Sequence, residues 1–269
     1  MALYLLLGLA TGAILALTGA GGGILAVPLL VFGAGMSMAQ AGPIGLLAVG
    51  MAAGLGAVIG LKKRVVRYRA ALLIAGTGML LSPLGLWLAA RVDNRGLTLL
   101  FAMVLAIVAY RGFRKTGGSA SQADADVRQP PCVRDAASGR FIWTRPCARA
   151  LAIAGGIAGL LSGLLGVGGG FVMVPALRRY TDLSMDATIA TSLAVIALVS
   201  ASGVASSIAA GRLEWMAALP FSAGALAGMV AGRLVAERIK GAHMQRAFAV
   251  VSAIVAIGMV VKVMLPLVR

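Results

Sequence analysis

Apolar residues run along this chain in long blocks with short polar breaks between them. The first five lie at about 2–18, 24–35, 39–61, 70–90 and 96–112. A polar stretch at about 113–147 follows, and then five more blocks at about 149–165, 171–178, 186–210, 216–236 and 244–265. A helix needs roughly 20 apolar residues to cross a bilayer. Eight blocks therefore predict spanning helices, while 24–35 and 171–178 have about half the required length. The predicted fold is all-α: a polytopic membrane protein of about eight spanning helices plus two broken, re-entrant half-helix segments.

The order of block lengths is the same on both sides of the polar stretch, and the residues repeat as well. A shift of 147 positions lays Gly19-Ala20-Gly21-Gly22-Gly23 on Gly166-Val167-Gly168-Gly169-Gly170. It also pairs Pro28 with Pro175, Ser37-Met38 with Ser184-Met185, and Gly85 with Gly232. This predicts two repeats, 1–112 and 148–269, joined by a linker loop at 113–147. In each repeat the first apolar run is too long for one crossing and is interrupted by three consecutive glycines. Glycine costs backbone entropy in a helix and readily takes positive φ. Each run is therefore expected to be a helix, a glycine turn inside the membrane, and a half-helix. Such irregular backbone survives at depth only where protein buries it or water reaches it. Because the pattern recurs internally, residues 1–20 are read as part of the fold and not as a signal peptide.

Composition fits this pattern. The chain is 60% apolar and only 12% charged, with a mean hydropathy of +0.98; soluble domains carry about a quarter of their residues as charges. The net charge of +16 would suggest nucleic acid in a soluble protein, but no basic, aromatic-rich patch accompanies it, and no nucleic-acid partner is expected. The basic residues instead give the orientation. If each broken segment enters and leaves on one side, each repeat adds three crossings and the second is inverted. Eighteen basic residues then fall on one face, in the 62–69 loop, the central loop, the Arg178-Arg179 turn and around Arg238–Arg246; five fall on the other. By the positive-inside rule the central loop is cytoplasmic and both termini lie outside. Cys132 and Cys147, 15 residues apart in that loop, are expected to be reduced thiols, since a metal site would need more ligands than two cysteines and His243. No metal or cofactor is expected.

Inverted repeats with paired broken helices are the architecture of a secondary transporter that binds substrate near the bilayer midplane. The first N–H groups of each half-helix lack intrahelical partners, and with the helix dipole they favour an anion. Gly21, Gly22, Gly23, Gly168, Gly169 and Gly170 are the first candidates for binding it; close helix packing is the other role open to these glycines. Gln40, Thr191 and Ser192, near the start of the spans that follow, could add donors, or could be satisfied within their own helices. Ser37 and Ser184 read as N-caps. Arg233, inside a span, is expected to snorkel to the interface, and is also a candidate for attracting an anion. Gly224, Gly228 and Gly232 form a small-residue ridge expected to serve helix packing.

Gly19-Ala20-Gly21-Gly22-Gly23-Ile24-Leu25-Ala26-Val27-Pro28 and Gly163 through Pro175 resemble the repeated motif of the sulfite exporter TauE/SafE family, as does Ala187-Thr188-Ile189-Ala190-Thr191-Ser192 in the second half. The resemblance covers almost the whole chain except 113–147. It implies movement of sulfite or a small organosulfonate, such as sulfoacetate, across the bacterial inner membrane. Ile44-Gly45 stands where the second repeat has Thr191-Ser192, so hydroxyls there would come from one repeat only. A permease for other small anions, such as carboxylates, is the alternative. An intramembrane enzyme or assembly factor ranks below both, because no nucleophile–base pair or acid pair sits on a span. The partners expected are thus a small anion and the lipid bilayer, with the oligomeric state open.

Overall fold

The computed structural model describes residues 1–18, 22–117, 131–132, 143–236 and 241–264. The first repeat contributes α1 (Ala2–Thr18), α2 (Gly22–Gly33), α3 (Met38–Lys62), α4 (Tyr68–Ala89) and α5 (Asn94–Gly117). The second contributes α6 (Arg145–Leu165), α7 (Gly170–Tyr180), α8 (Met185–Ala209), α9 (Trp215–Ala236) and α10 (Gly241–Met264). Five of these helices, α3, α4, α6, α8 and α9, are long and apolar enough to cross a membrane. α1 and the apolar parts of α5 and α10 are shorter, and α2 and α7 have 12 and 11 residues. The protein is an all-α polytopic membrane protein. Its outer face carries large apolar side chains, among them Leu72, Leu80 and Leu84 on α4 and Met216, Leu219 and Leu234 on α9. Apolar patches of that extent mark contact with a membrane or a partner.

Local signals set the helix ends. Ser37 caps α3 in a reciprocal capping box with Gln40, and Ser184 caps α8 by accepting from the Ala187 N–H, so both serines act as the sequence predicts. Thr144 caps α6, with a proline in its first turn. At its other end α6 stops at Gly166, in the left-handed region at φ 71°.

The centre of the molecule is the pair α3 and α8, counterparts under the 147-residue shift. Gly60 lies beside Ala190, Gly50 beside Ser200, and Leu46 beside Gly203. As one number rises the other falls, so the helices run antiparallel along their whole length. Around them the repeats exchange partners. α1 packs on α9, where Gly8 and Gly12 abut the carbonyls of Phe221 and Ala225. Their counterparts on α6, Gly155 and Gly159, abut the carbonyls of Ile74 and Gly78 on α4. Gly224, Gly228 and Gly232 close against the backbone of α1, which is the packing role expected of that ridge. Small residues let backbones approach to van der Waals contact where lipid offers no hydrophobic drive.

One expectation is corrected here. Cys132 and Cys147 are joined in a disulfide with a Cα–Cα distance of 4.9 Å, so they are not two free thiols. Cys147 sits in the first turn of α6, its N–H bound to the Thr144 hydroxyl. Cys132 forms an isolated parallel bridge with Thr181, its N–H donating to the Tyr180 carbonyl at 3.1 Å. The end of α7 thus presents one cysteine to the start of α6, and both are fully buried. Closing a 15-residue loop stabilises by about 3 kcal/mol. Cys132→Ser is accordingly expected to lower the melting temperature in detergent, and reductant to lower that of the wild type only. Equal melting of all three samples would show that the bridge stabilises nothing.

Arg233, near the end of α9, donates from its guanidinium to the Gly56 carbonyl on α3 at 3.2 Å. Gly56 has no side chain to cover that oxygen, and the arginine is only half-buried.

Candidate functional site

The break between α6 and α7 is built from glycines in the left-handed region: Gly166, Gly168 and Gly169 have φ of 71°, 70° and 68°. Of the break between α1 and α2, residues 19–21 lie outside the described part, Gly21 among them; Gly22 and Gly23 open α2. The Gly22 N–H donates to Thr18 Oγ1 at 2.9 Å, and that hydroxyl donates to the Ile14 carbonyl at 2.7 Å.

The two breaks meet. A Cβ on Gly23 would lie 2.8 Å from the Val167 carbonyl oxygen and 3.1 Å from Val49 Cγ1. One on Gly168 would lie 3.0 Å from Ile196 Cγ2, 3.1 Å from Ser200 Oγ and 3.2 Å from Val49 Cγ1. Gly166 rests on Gly42 so closely that a side chain there would overlap its backbone. Val49 and Ile196 are counterparts near the middle of the two 25-residue central helices, so the junction lies about halfway along their length.

From this junction α2 runs back to the turn that starts α3, and α7 to the turn that starts α8. Those turns are at opposite ends of the antiparallel pair, so the N-termini of α2 and α7 converge while their bodies diverge. Every residue from Gly22 to Pro28 is buried, so protein surrounds the first half-helix where irregular backbone demands it. In α7 the N–H groups of Val172 and Met173 donate to the Gly169 carbonyl, at 3.1 and 3.3 Å. Gly168 and Gly169 form a hydrogen-bonded turn on the Val167 carbonyl, and the Gly168 N–H finds no acceptor among the described residues.

Of the side chains picked out by sequence, the structure gathers few at this junction. Gln40 is exposed at one end of α3, where its amide donates to Glu214 Oε1 at 2.9 Å and its carbonyl oxygen accepts from Ser37. Thr191 sits near the other end of the bundle, accepting from the Arg67 N–H at 3.1 Å. With Ala190 beside Gly60, Thr191 and Gln40 are about 28 Å apart along α3 at roughly 1.5 Å per residue. Thr188 and Ser192 bond back to carbonyls of their own chain, Ser184 and Ile189. A different hydroxyl reaches the junction. Ser200, on α8, is fully buried and its Oγ has no partner among the described residues. Periodicity could not single it out, because only the α3–α8 register brings it to the glycine turn. Under the shift Glu214 corresponds to Arg67, so one end of the bundle bears an acid where the other bears a base.

Paired half-helices meeting at a doubled glycine motif are the point at which likeness to known proteins becomes informative. The family model described as "Sulfite exporter TauE/SafE" matches residues 4–259. The chain belongs to the sulfite exporter TauE/SafE family. A "Probable membrane transporter protein" of Xylella fastidiosa (strain 9a5c) is 30% identical over 250 residues, which cover 91% of this chain and 89% of the relative. The "Probable membrane transporter protein YunE" of Bacillus subtilis (strain 168) is 25% identical over 249 residues, 88% of this chain and 89% of the relative. No solved structure gives a significant match. A member of the TauE/SafE family that matches over nearly its whole length is a membrane transporter by family, with many buried helices and the break motif in both halves.

Proposed function

We propose that this TauE/SafE protein exports a small sulfur-containing anion, sulfite or an organosulfonate such as sulfoacetate, across the bacterial inner membrane. The anion would bind between the N-termini of α2 and α7. The observation that carries this reading is the convergence of two half-helix N-termini midway along α3 and α8, with the unpaired Gly168 N–H in the turn before α7. Helix dipoles and free amides favour an anion without any fixed positive charge.

The antiparallel α3–α8 pair and the exchanged contacts of α1 with α9 and α4 with α6 support an inverted repeat. In such folds one bundle rocks against the other around a fixed site. By the positive-inside rule the central loop, the 62–69 loop and the α7–α8 turn would lie on the cytoplasmic side. The disulfide pulls the other way, since such bonds persist mainly in oxidising compartments. Eighteen basic residues against five outweigh one buried bridge. Sidedness is tested by reporter fusions after residue 120 and at the C-terminus, expected inside and outside respectively; the opposite pattern would reverse the topology.

Substrate class is tested by thermal melting with sulfite, sulfoacetate, thiosulfate, taurine and acetate. A ligand at a hundredfold excess over its Kd stabilises by about 2.7 kcal/mol. Sulfite or a sulfonate is expected to raise the melting temperature most. Stabilisation by acetate alone would make this a carboxylate permease.

A further inference from the structure

The two repeats supply the same backbone to the junction but not the same side chains. Ser200 corresponds to Ala53 in the first repeat, so only one side of the junction has a hydroxyl on its central helix. Thr18, the hydroxyl nearest the first break, is committed twice, donating to Ile14 O and accepting from Gly22 N. Ser200 is committed to nothing described. On the same helix Ser206 and Ser207 donate back to the carbonyls of Ser202 and Gly203, the usual refuge of a serine inside a span. Ser200 Oγ makes no such bond. It stands 3.1 Å from where a Cβ on Gly168 would be and 3.6 Å from where one on Gly50 would be. Both neighbours lack side chains, so the hydroxyl packs directly on their backbone. A buried hydroxyl without a partner costs free energy unless something else takes its proton.

We propose that Ser200 is a substrate-binding residue, donating from Oγ to an oxygen of the bound anion beside the free N–H of Gly168. The recognition is one-sided. The α6–α7 break and α8 hold the oxygens, while Val49, Ile196 and the first repeat's apolar side chains complete the wall. This deepens the anion-transport reading and rests on it. It also answers for the hydroxyl that sequence placed at Thr191 and Ser192: one does reach the site from the second repeat, but two to three turns further along α8.

The test is sulfite efflux from proteoliposomes, read as half-saturating concentration and maximal rate. A hydrogen bond to a charged group is worth roughly ten- to a hundredfold in affinity. Ser200→Ala should therefore raise the half-saturating concentration by roughly tenfold or more while leaving the melting temperature at or above that of the wild type. Ser252→Ala removes another buried, unpartnered hydroxyl, on α10, and should change neither. Wild-type affinity in Ser200→Ala would overturn the inference, as would a lowered melting temperature with equal loss in both serine variants. If the wild type moves no sulfite at all, the functional reading falls and takes this site with it. If the wild type moves sulfite and Ser200→Ala is silent, only the assignment of Ser200 falls.

Discussion

Gly168→Ala is expected to abolish transport while the protein still inserts and remains monodisperse in detergent. Two effects add. The residue sits at φ +70°, where an L side chain costs about 1–2 kcal/mol. Its new methyl would also lie 3.0–3.2 Å from Ile196, Ser200 and Val49, side chains that line the proposed site and would have to give way. Gly35→Ala separates the two effects. Gly35 has φ +69° but nothing within 4 Å of its Cβ position, so it carries the backbone cost without filling the junction. Flux should fall by roughly a hundredfold or more in Gly168→Ala, equivalent to about 2.7 kcal/mol, and stay near wild type in Gly35→Ala. Normal flux in both would remove the α6–α7 break from the transport path.

Gly159→Leu is expected to prevent assembly. A Cβ at this position would overlap the backbone of Gly78, so α4 and α6 could not keep their contact. Overpacking a well-packed core costs about 1–3 kcal/mol, occasionally more, and here the obstacle is backbone, which has no rotamer to yield. Gly12→Leu should fail in the same way against Ala225, its counterpart contact on α9. Gly76→Ala is the control: its Cβ position is open, and alanine in a helix is favoured over glycine by about 1 kcal/mol. Size-exclusion profiles and melting curves should show the two leucine variants lost and Gly76→Ala unharmed. Intact melting of Gly159→Leu would contradict the close α4–α6 crossing.

What sequence could and could not reveal follows from the range of each interaction. The glycine break was legible because a triple glycine in an apolar run is a local signal, and its recurrence after 147 residues doubled it. The caps at Ser37 and Ser184 were legible for the same reason, being bonds across three residues. The side chains of the site were not. Gln40 and Thr191 both stand near helix starts and looked like neighbours of the breaks, yet antiparallel packing of α3 on α8 sends them to opposite ends. Ser200 looked like any serine in a span until that register put it against Gly168. The bond from Arg233 to the Gly56 carbonyl spans 177 residues, and no local signal announces it. The Cys132–Cys147 bridge depends on the end of α7 laying Cys132 against Thr181, a contact no spacing announces.

The central claim, outward movement of a small sulfur anion through the α2–α7 junction, is tested most directly by labelled sulfite efflux from proteoliposomes under an imposed potential. Among the described residues no paired carboxylate lies along the spans, and the potential itself is expected to drive the anion, at about 2.3 kcal/mol per charge per 100 mV. Saturable efflux that accelerates when the anion's own compartment is made negative is the predicted result. Flux indifferent to the potential, or flux of acetate without sulfite, would contradict it.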